Sequence, residues 1–339
     1  MKPQSVGAFS VRGRGRLKGE GILGLLILAI LLLLYIFGGG TSGFFGVQNI
    51  VNVLRVFSYL FIAGIGMTMI IITRNIDISY GAVISVIAIV MAAISKTNRH
   101  LPFYAFLPVG MLVGMLLCGF NAWMMATFKI PSMVITLATT QIYYGALLLF
   151  LDGSIYNLRS NWTWFTFKAN LFNYIPLSVV IALALLVASI LFFKYSRFVR
   201  RLYAIGNNRQ GAVYAGINVN RTMIITYVIG GALLSFSSAT LATQGSRVTC
   251  TVGNNVEMNV IAAVVVGGTS AVGGSGKIYG TALGALLLAI ISPALAYVNI
   301  NTYFTNLVTG AIIVIAVATS ALKNVEFRFG KKSRIETRR

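Results

Sequence analysis

The chain has few of the residues on which soluble enzymes and metalloproteins depend. Its 339 residues include six acidic side chains, one histidine and two cysteines. Cys118 and Cys250 lie far apart, so they indicate neither a disulfide framework nor a metal-binding spacing. His100 is the sole histidine, which excludes a histidine-based zinc site, and the lack of a histidine or carboxylate cluster argues against a membrane-embedded enzyme. We expect no catalytic residue, metal or cofactor in this chain.

Charged residues are also scarce, at 10% of the chain, whereas 57% of the residues are apolar. A soluble domain carries roughly a quarter charged residues. Several apolar runs approach or exceed the ~20 residues that cross a bilayer, and the alternating segments of a transmembrane β-barrel are missing. The sequence therefore predicts an all-α fold, a polytopic transmembrane bundle of about ten helices. The predicted spans are 21–37, 53–73, 79–95, 102–127, 130–151, 175–193, 222–243, 259–272, 279–298 and 303–321.

The basic residues fall between these spans, and cytoplasmic loops are the ones that retain Lys and Arg. Most of the 27 basic residues lie on one side if both termini are internal. We therefore expect cytoplasmic termini, with a membrane domain at 21–321 flanked by basic segments at 1–20 and 322–339. No small-residue cleavage site follows the first span, which we interpret as uncleaved. An eight-span alternative fuses 259–298 into one hairpin and keeps the same ends.

The net charge of +21 does not indicate nucleic acid. The run of arginines at Arg12, Arg14 and Arg16 directly precedes the first span. We interpret it as a topology anchor that also contacts anionic membrane lipid.

The largest internal polar segment is 194–221, which has six basic residues and no acidic one. It is the candidate surface on which a separate motor could act, because the chain itself has no nucleotide site. The stretch Gly273–Lys277 resembles part of a phosphate-binding loop, but Ala271 stands where the first glycine belongs and Ile278 replaces the magnesium-binding hydroxyl.

Two polar, flexible segments interrupt the apolar pattern, at 73–81 and 266–280. Such breaks indicate the substrate path in transporters, although ordinary turns between spans explain them equally well. Asp77 and Glu257 are the acidic residues close to spans. Asp77 either pairs with Arg74 or serves the solute path. Glu257 either stabilises the start of a helix through the helix dipole or serves the solute path.

The external stretch 152–174 is rich in aromatic residues, including Trp162 and Trp164. This density is typical of a membrane-interface belt or a short re-entrant helix. An alternative is that it docks an external partner.

Four segments resemble one family, the permeases of bacterial ABC importers for monosaccharides, which include the ribose, xylose, galactofuranose and autoinducer-2 systems. The segment 72–81 is similar to their Gly-Gly-Ile-Asp-Leu-Ser-Val-Gly signature, with Arg74-Asn75 in place of the glycine pair. The segments 128–139, 204–217 and 256–284 resemble their proline-containing segment, cytoplasmic loop and glycine-rich segment. The loop has Asn-Arg-Gln where the family often has acidic residues.

The resemblance implies an inner-membrane permease that acts with ABC ATP-binding subunits, a periplasmic sugar-binding protein and a second permease, identical or paralogous. It also implies that 207–217 forms a short helix in a groove of the ATPase, although an amphipathic helix resting on lipid is the alternative. The implied coupling residues are Gly206, Asn207, Asn208, Arg209, Ala212, Ala215, Gly216 and Ile217.

The implied solute is a ribose-type sugar or autoinducer-2, and a sugar needs polar groups and aromatic faces in its path. The candidate path residues are Asn75, Asp77, Asn121, Trp123, Gln141, Tyr143, Tyr144, Asn254, Glu257 and Asn259. The alternative function is a secondary carrier that uses an ion gradient and depends on Asp77 or Glu257.

Overall fold

The structure is a computed structural model that describes residues 19–37, 44–97, 103–151, 156–157, 170–171, 175–245 and 247–297, with 304, 307, 310, 311 and 314. These residues are mostly helical, as predicted. Their eleven α-helices are α1 (Gly19–Phe37), α2 (Val47–Ile72), α3 (Tyr80–Thr97), α4 (Leu107–Phe128), α5 (Ser132–Leu151), α6 (Leu177–Tyr195), α7 (Arg197–Asn207), α8 (Arg209–Tyr214), α9 (Val219–Ala242), α10 (Val256–Val266) and α11 (Ile278–Tyr297).

Six of the described helices, α2, α4, α5, α6, α9 and α11, are long and apolar enough to cross a membrane. Helices α1, α3 and α10 contribute shorter apolar stretches. At 1.5 Å per residue, α10 is roughly 16 Å long, about half the thickness of the hydrocarbon core. The predicted span 259–272 is therefore a short helix followed by a polar turn. The count of about ten spans stays a prediction, and 303–321 lies almost wholly outside the described residues.

Helix α2 is the centre of the bundle. Its membrane-length window is 89% buried, against 22% to 33% for α4, α5 and α6. It packs against α6, α9, α10 and α11, and α9 packs in turn against α4. Phe61, Ile62 and Met67 on α2 are completely inaccessible. Apolar side chains on the outer helices remain exposed, as expected of surfaces that face lipid.

Glycines set the spacing between the central helices. A methyl group at Gly114 of α4 would overlap the carbonyl oxygen of Gly231 of α9, and the reverse substitution would overlap the carbonyl of Gly114. On α2, a methyl group at Gly66 would lie 2.8 Å from the Cα atom of Gly230. Apolar burial does not drive association in lipid, so close backbone approach supplies the packing. Small residues thus pack the central helices closely at these contacts.

The strands of the described residues form two antiparallel pairs of two residues each. Strand β1 (Tyr156–Asn157) pairs with β4 (Arg247–Val248), and β2 (Asn170–Leu171) pairs with β3 (Ile175–Pro176). The first pair joins the chain after α5 to the chain after α9. Trp162 and Trp164, the basis of the predicted interface belt, lie outside the described residues.

We predict that Gly231→Ala destabilises the bundle, because the added methyl group forces α4 and α9 apart. Overpacking of this kind costs about 1–3 kcal/mol, and thermal unfolding in detergent will show a Tm lower by several degrees. The matched control is Gly145→Ala in α5, where a methyl group meets no atom within 4 Å. An equal fall in Tm for both variants would contradict the packing role.

Candidate coupling element and solute path

The polar segment 194–221 folds into α7, α8 and the start of α9 because its own side chains cap each helix. The side-chain oxygens of Ser196, Asn208 and Asn218 accept hydrogen bonds from backbone N–H groups two or three residues further on, at 2.9–3.1 Å. These are preferred helix N-cap residues. Gly216, with φ 77°, occupies the left-handed region just after α8. The short helix predicted within 207–217 is thus present as α8.

One side of α8 is buried against its neighbours. Ala212 packs with Ile205 of α7 and with Val219 and Met223 of α9 in a small apolar cluster. Ile217 lies half-buried against the same cluster. Of the predicted coupling residues, Ala212 and Ile217 attach α8 to the bundle, whereas Ala215 is exposed.

The exposed side of α8 carries different residues. Arg209, Gln210, Val213 and Tyr214 line a shallow surface recess, in which Tyr214 is 89% exposed and Val213 is 55% exposed. Sequence reasoning did not single out Val213 or Tyr214. The sequence could have indicated them, because positions i, i+1, i+4 and i+5 lie on one side of a helix that begins at 209.

Arg74 connects the end of α2 to the end of α7. Its Nε atom donates to the carbonyl oxygen of Gly206 at 2.6 Å, and an Nη atom donates to the carbonyl oxygen of Asn207 at 3.0 Å. The backbone of Arg74 has φ 66°. The expected pairing of Arg74 with Asp77 is wrong: within the described residues the guanidinium is directed to α7, and the carboxylate is directed to Ser79.

The turn between α10 and α11 completes a three-way contact, which we call the junction: residues 72–74, 203–207 and 273–276. The amide of Gly274 donates to the carbonyl oxygen of Ile72 at 2.9 Å. The side chain of Asn207 donates to the carbonyl oxygen of Gly274 at 3.2 Å. Both polar interruptions identified in the sequence therefore meet the coupling segment at one place.

Tyr203 of α7 adds a fourth hydrogen-bonded link to this junction. Its hydroxyl donates to the carbonyl oxygen of Gly276 at 2.6 Å. Burial raises the pKa of the Tyr203 phenol above its ordinary value, so the hydroxyl stays protonated and remains a donor.

Asp77 ends a chain of hydrogen bonds that begins at Tyr143. The Tyr143 hydroxyl donates to Oδ1 of Asn121 at 3.2 Å, and Nδ2 of Asn121 donates to Oγ of Ser79 at 2.8 Å. Ser79 donates to Oδ1 of Asp77 through its backbone N–H at 2.8 Å and its hydroxyl at 2.6 Å. Asp77, Ser79 and Asn121 are completely buried. The structure thus brings together three predicted path residues from α4, α5 and the α2–α3 connection.

This buried cluster retains unused hydrogen-bonding capacity. Within the described residues, Oδ2 of Asp77 and the hydroxyls of Tyr80 and Tyr227 make no hydrogen bond. Buried polar groups are normally paired, so exceptions of this kind indicate a functional region.

The second carboxylate, Glu257, lies in the first turn of α10 and is 7% exposed. It contacts Gly81 near the start of α3, where any side chain would overlap it. A negative charge is favourable at both helix N-termini, which agrees with the structural interpretation of Glu257. Asn254 is exposed and Asn259 is half-buried, and neither joins the Asp77 cluster.

The remaining predicted path residues are dispersed. Gln141 lies exposed on α5, Trp123 is 49% exposed on α4, and Tyr144 is half-buried. The side chain of Asn75 donates to the carbonyl oxygen of Thr73, so it serves the connection itself.

At the opposite end of α2 from the junction, a polar recess is lined by Gln48, Asn52, Arg55 and Gln244. Arg55 is nearly buried and donates to Oδ1 of Asn52 at 3.2 Å. Sequence reasoning missed this set. The spacing of Gln48, Asn52 and Arg55 at i, i+4 and i+7 places them on one side of a helix and could have revealed the recess.

Comparison with known proteins shows that the chain is similar to import permeases. Residues 49–317 match a family described as "Branched-chain amino acid transport system / permease component". The ribose import permease protein of Haemophilus influenzae is 32% identical over 298 residues, which are 86% of this chain and 90% of that protein. The corresponding protein of Bacillus subtilis is 31% identical over 304 residues, which are 89% and 92% of the two chains.

The autoinducer 2 import system permease protein of Yersinia pseudotuberculosis is 29% identical over 295 residues, 86% of this chain and 82% of that protein. No solved structure is significantly similar to the chain.

We predict that Asn121→Leu destabilises the protein more than Tyr143→Phe. Leucine removes the donor to Ser79 and the acceptor for Tyr143 at similar volume, a loss of about 1–3 kcal/mol. Phenylalanine removes only the long bonds of 3.2 and 3.3 Å from the Tyr143 hydroxyl. Thermal unfolding of both variants in detergent measures the difference, and equal Tm values would contradict the hydrogen-bond chain.

Proposed function

The chain belongs to the family described as branched-chain amino acid transport system permease components, and from this premise we propose that it is the membrane-spanning permease of an ATP-driven importer. Its solute is a monosaccharide or a sugar-like molecule such as autoinducer-2, because relatives named for ribose and autoinducer 2 import align with most of its length. It lies in the bacterial inner membrane with about ten spans and cytoplasmic termini. The segments 1–20 and 322–339 are basic flanks of a membrane domain at 21–321.

The observation that carries this proposal is the exposed face of α8. Arg209, Gln210, Val213 and Tyr214 present a basic group, an amide and two apolar side chains together. Exposed tyrosine and arginine are the residues that most often dominate binding energy in protein interfaces. We propose that this face inserts into a groove of an ABC ATP-binding subunit, and that this subunit hydrolyses the ATP.

The alternative of a helix resting on lipid is less well supported. Helix α8 has only six residues, and Arg209 shares its exposed side with Tyr214. Interfacial helices depend on a sizeable apolar face that enters the acyl region. Ala212, which could extend such a face, is buried in the protein itself.

We propose that the solute passes between this chain and a second permease, identical or paralogous. Gln141 exposes an amide on the otherwise apolar outer side of α5. A polar residue within a span normally faces a partner or a water-filled path rather than lipid. Gln141 and the neighbouring Tyr144 would line the path, and Asp77 and Asn121 would support it from within the bundle.

A periplasmic sugar-binding protein would deliver the solute at the end of the bundle opposite α8. There, Gln48, Asn52, Arg55 and Gln244 offer amide and guanidinium groups suited to sugar hydroxyls. Because the binding protein selects the solute, we expect weak contacts along the path, which favour release.

Uptake by proteoliposomes tests the proposed function directly. The chain is reconstituted with its ATP-binding subunits, its binding protein and radiolabelled ribose or autoinducer-2. We expect uptake that requires internal ATP and is unaffected by collapse of the proton or sodium gradient. Uptake by the chain alone, driven by an ion gradient and abolished in Asp77→Asn or Glu257→Gln, would instead establish a secondary carrier.

We predict that Tyr214→Ala lowers ATP-driven uptake at least tenfold and leaves membrane insertion unchanged, because Tyr214 contributes surface to the interface and none to the core. Gly216→Val should have a similar effect, since φ 77° is strongly unfavourable for a β-branched residue and α8 would be displaced. The matched control is Tyr35→Ala, near the end of α1, where the side chain is 56% exposed. Equal uptake by the Tyr214 and Tyr35 variants would contradict the assignment of the interface.

A further inference from the structure

We infer that Arg74 is the positioning residue through which movement of α7 and α8 reaches the buried Asp77 cluster. This inference rests on the proposed function, in which an ATPase moves α8. It adds a specific mechanical link, because Arg74 lies outside the exposed face of α8 and its side chain connects two segments that are 132 residues apart.

The contacts of Arg74 match the electrostatics of a helix end. Gly206 and Asn207 are the last two residues of α7, where carbonyl groups lack partners within the helix and carry partial negative charge. A guanidinium group presents several N–H donors in a planar fork, so it reaches both carbonyls at once. Hydrogen bonds to a charged donor are about twice as strong as neutral ones. The end of α7 is therefore held by one side chain from the end of α2.

The backbone of Arg74 indicates that this contact is maintained against local preference. Its φ of 66° is in the left-handed region, which long side chains occupy only rarely. A strained residue persists where its surroundings over-determine it, and such residues cluster at functional sites. A left-handed backbone alone favours glycine, so the arginine adds contacts that glycine could not make.

The junction is too closely packed to absorb movement. A methyl group at Gly206 would overlap the carbonyl of Ile72, and one at Gly273 would overlap the side chain of Arg74. The turn between α10 and α11 is held against the end of α2 by the hydrogen bond from the Gly274 amide to the carbonyl oxygen of Ile72. Displacement of α7 must therefore displace residues 72–74, because packed interiors have low compressibility.

The path from Arg74 to the buried cluster is short. Asp77 follows three residues later, a distance of roughly 10 Å in extended chain. Between them, the backbone N–H of Ile76 donates to Oγ of Ser132 at the start of α5. Asp77 then receives hydrogen bonds from Ser79, which is bonded to Asn121 of α4. Movement at Arg74 thus changes the relation between α4 and α5, where α5 carries the proposed path residue Gln141.

The test compares Arg74→Gly with Lys129→Gly in the complete importer in proteoliposomes. Glycine removes the guanidinium and relieves the left-handed backbone, so the variant is not expected to unfold. Lys129 is an exposed cation with φ 56° at the end of α4, so its replacement makes the same chemical change away from the junction. The readout is the number of solute molecules transported per ATP hydrolysed. A purely structural defect would lower transport and ATP hydrolysis together, so it would leave this ratio unchanged.

We expect Arg74→Gly to lower this ratio at least about fivefold, the lower end of typical coupling effects, while unstimulated ATP hydrolysis persists. Arg74→Lys should restore the ratio in part, because an ammonium group reaches one carbonyl well but does not reproduce the fork. Lys129→Gly should retain the ratio of the unaltered protein. An unchanged ratio in Arg74→Gly, with ATP-driven uptake intact, would overturn the role of Arg74 and leave the proposed function standing.

Discussion

The arrangement depends on the need to pair backbone polar groups wherever a helix ends within a membrane protein. The last carbonyl groups of a helix have no partner within that helix, and here other segments of the chain supply the donors. The ends of α2 and α7 and the turn after α10 solve this problem jointly, through the carbonyls of Ile72, Gly206 and Asn207. Because the three segments supply one another's hydrogen-bond partners, we expect them to move together.

Two kinds of contact extend from this junction through the bundle. Glycines at Gly66, Gly114, Gly230 and Gly231 bring α2, α4 and α9 into backbone contact, so these helices form a close-packed centre. The hydrogen bonds around Asp77 link the α2–α3 connection to α4 and α5 through few residues. Helix α8 lies outside, attached by Ala212 and exposed through Tyr214. The proposed import mechanism requires this combination of an exposed helix and an interior connected by hydrogen bonds.

The sequence predicted the helical class, a short helix within the polar segment 194–221 and two polar interruptions of the apolar pattern. These features follow from composition, charge and local turn residues, which act over short distances. It did not predict that the interruptions meet, because the contact of Arg74 with Gly206 joins residues 132 positions apart. The burial of Ala212, one of the implied coupling residues, was also not predicted, because a period of 3.6 residues does not tell which side of a short helix is buried. The sequence did not indicate that α10 is short, because the glycines after Val266 are compatible with a continuing apolar span.

Hydrogen exchange of the assembled importer, measured with and without nucleotide on the ATP-binding subunits, tests the central claim most directly. Amide exchange reports the opening of local hydrogen bonds, and the Gly274 amide is bonded to Ile72 in the junction. The account predicts that nucleotide binding changes exchange in peptides covering 72–77, 203–216 and 270–276 together. A change confined to 203–216, with the other two segments unaffected, would contradict it.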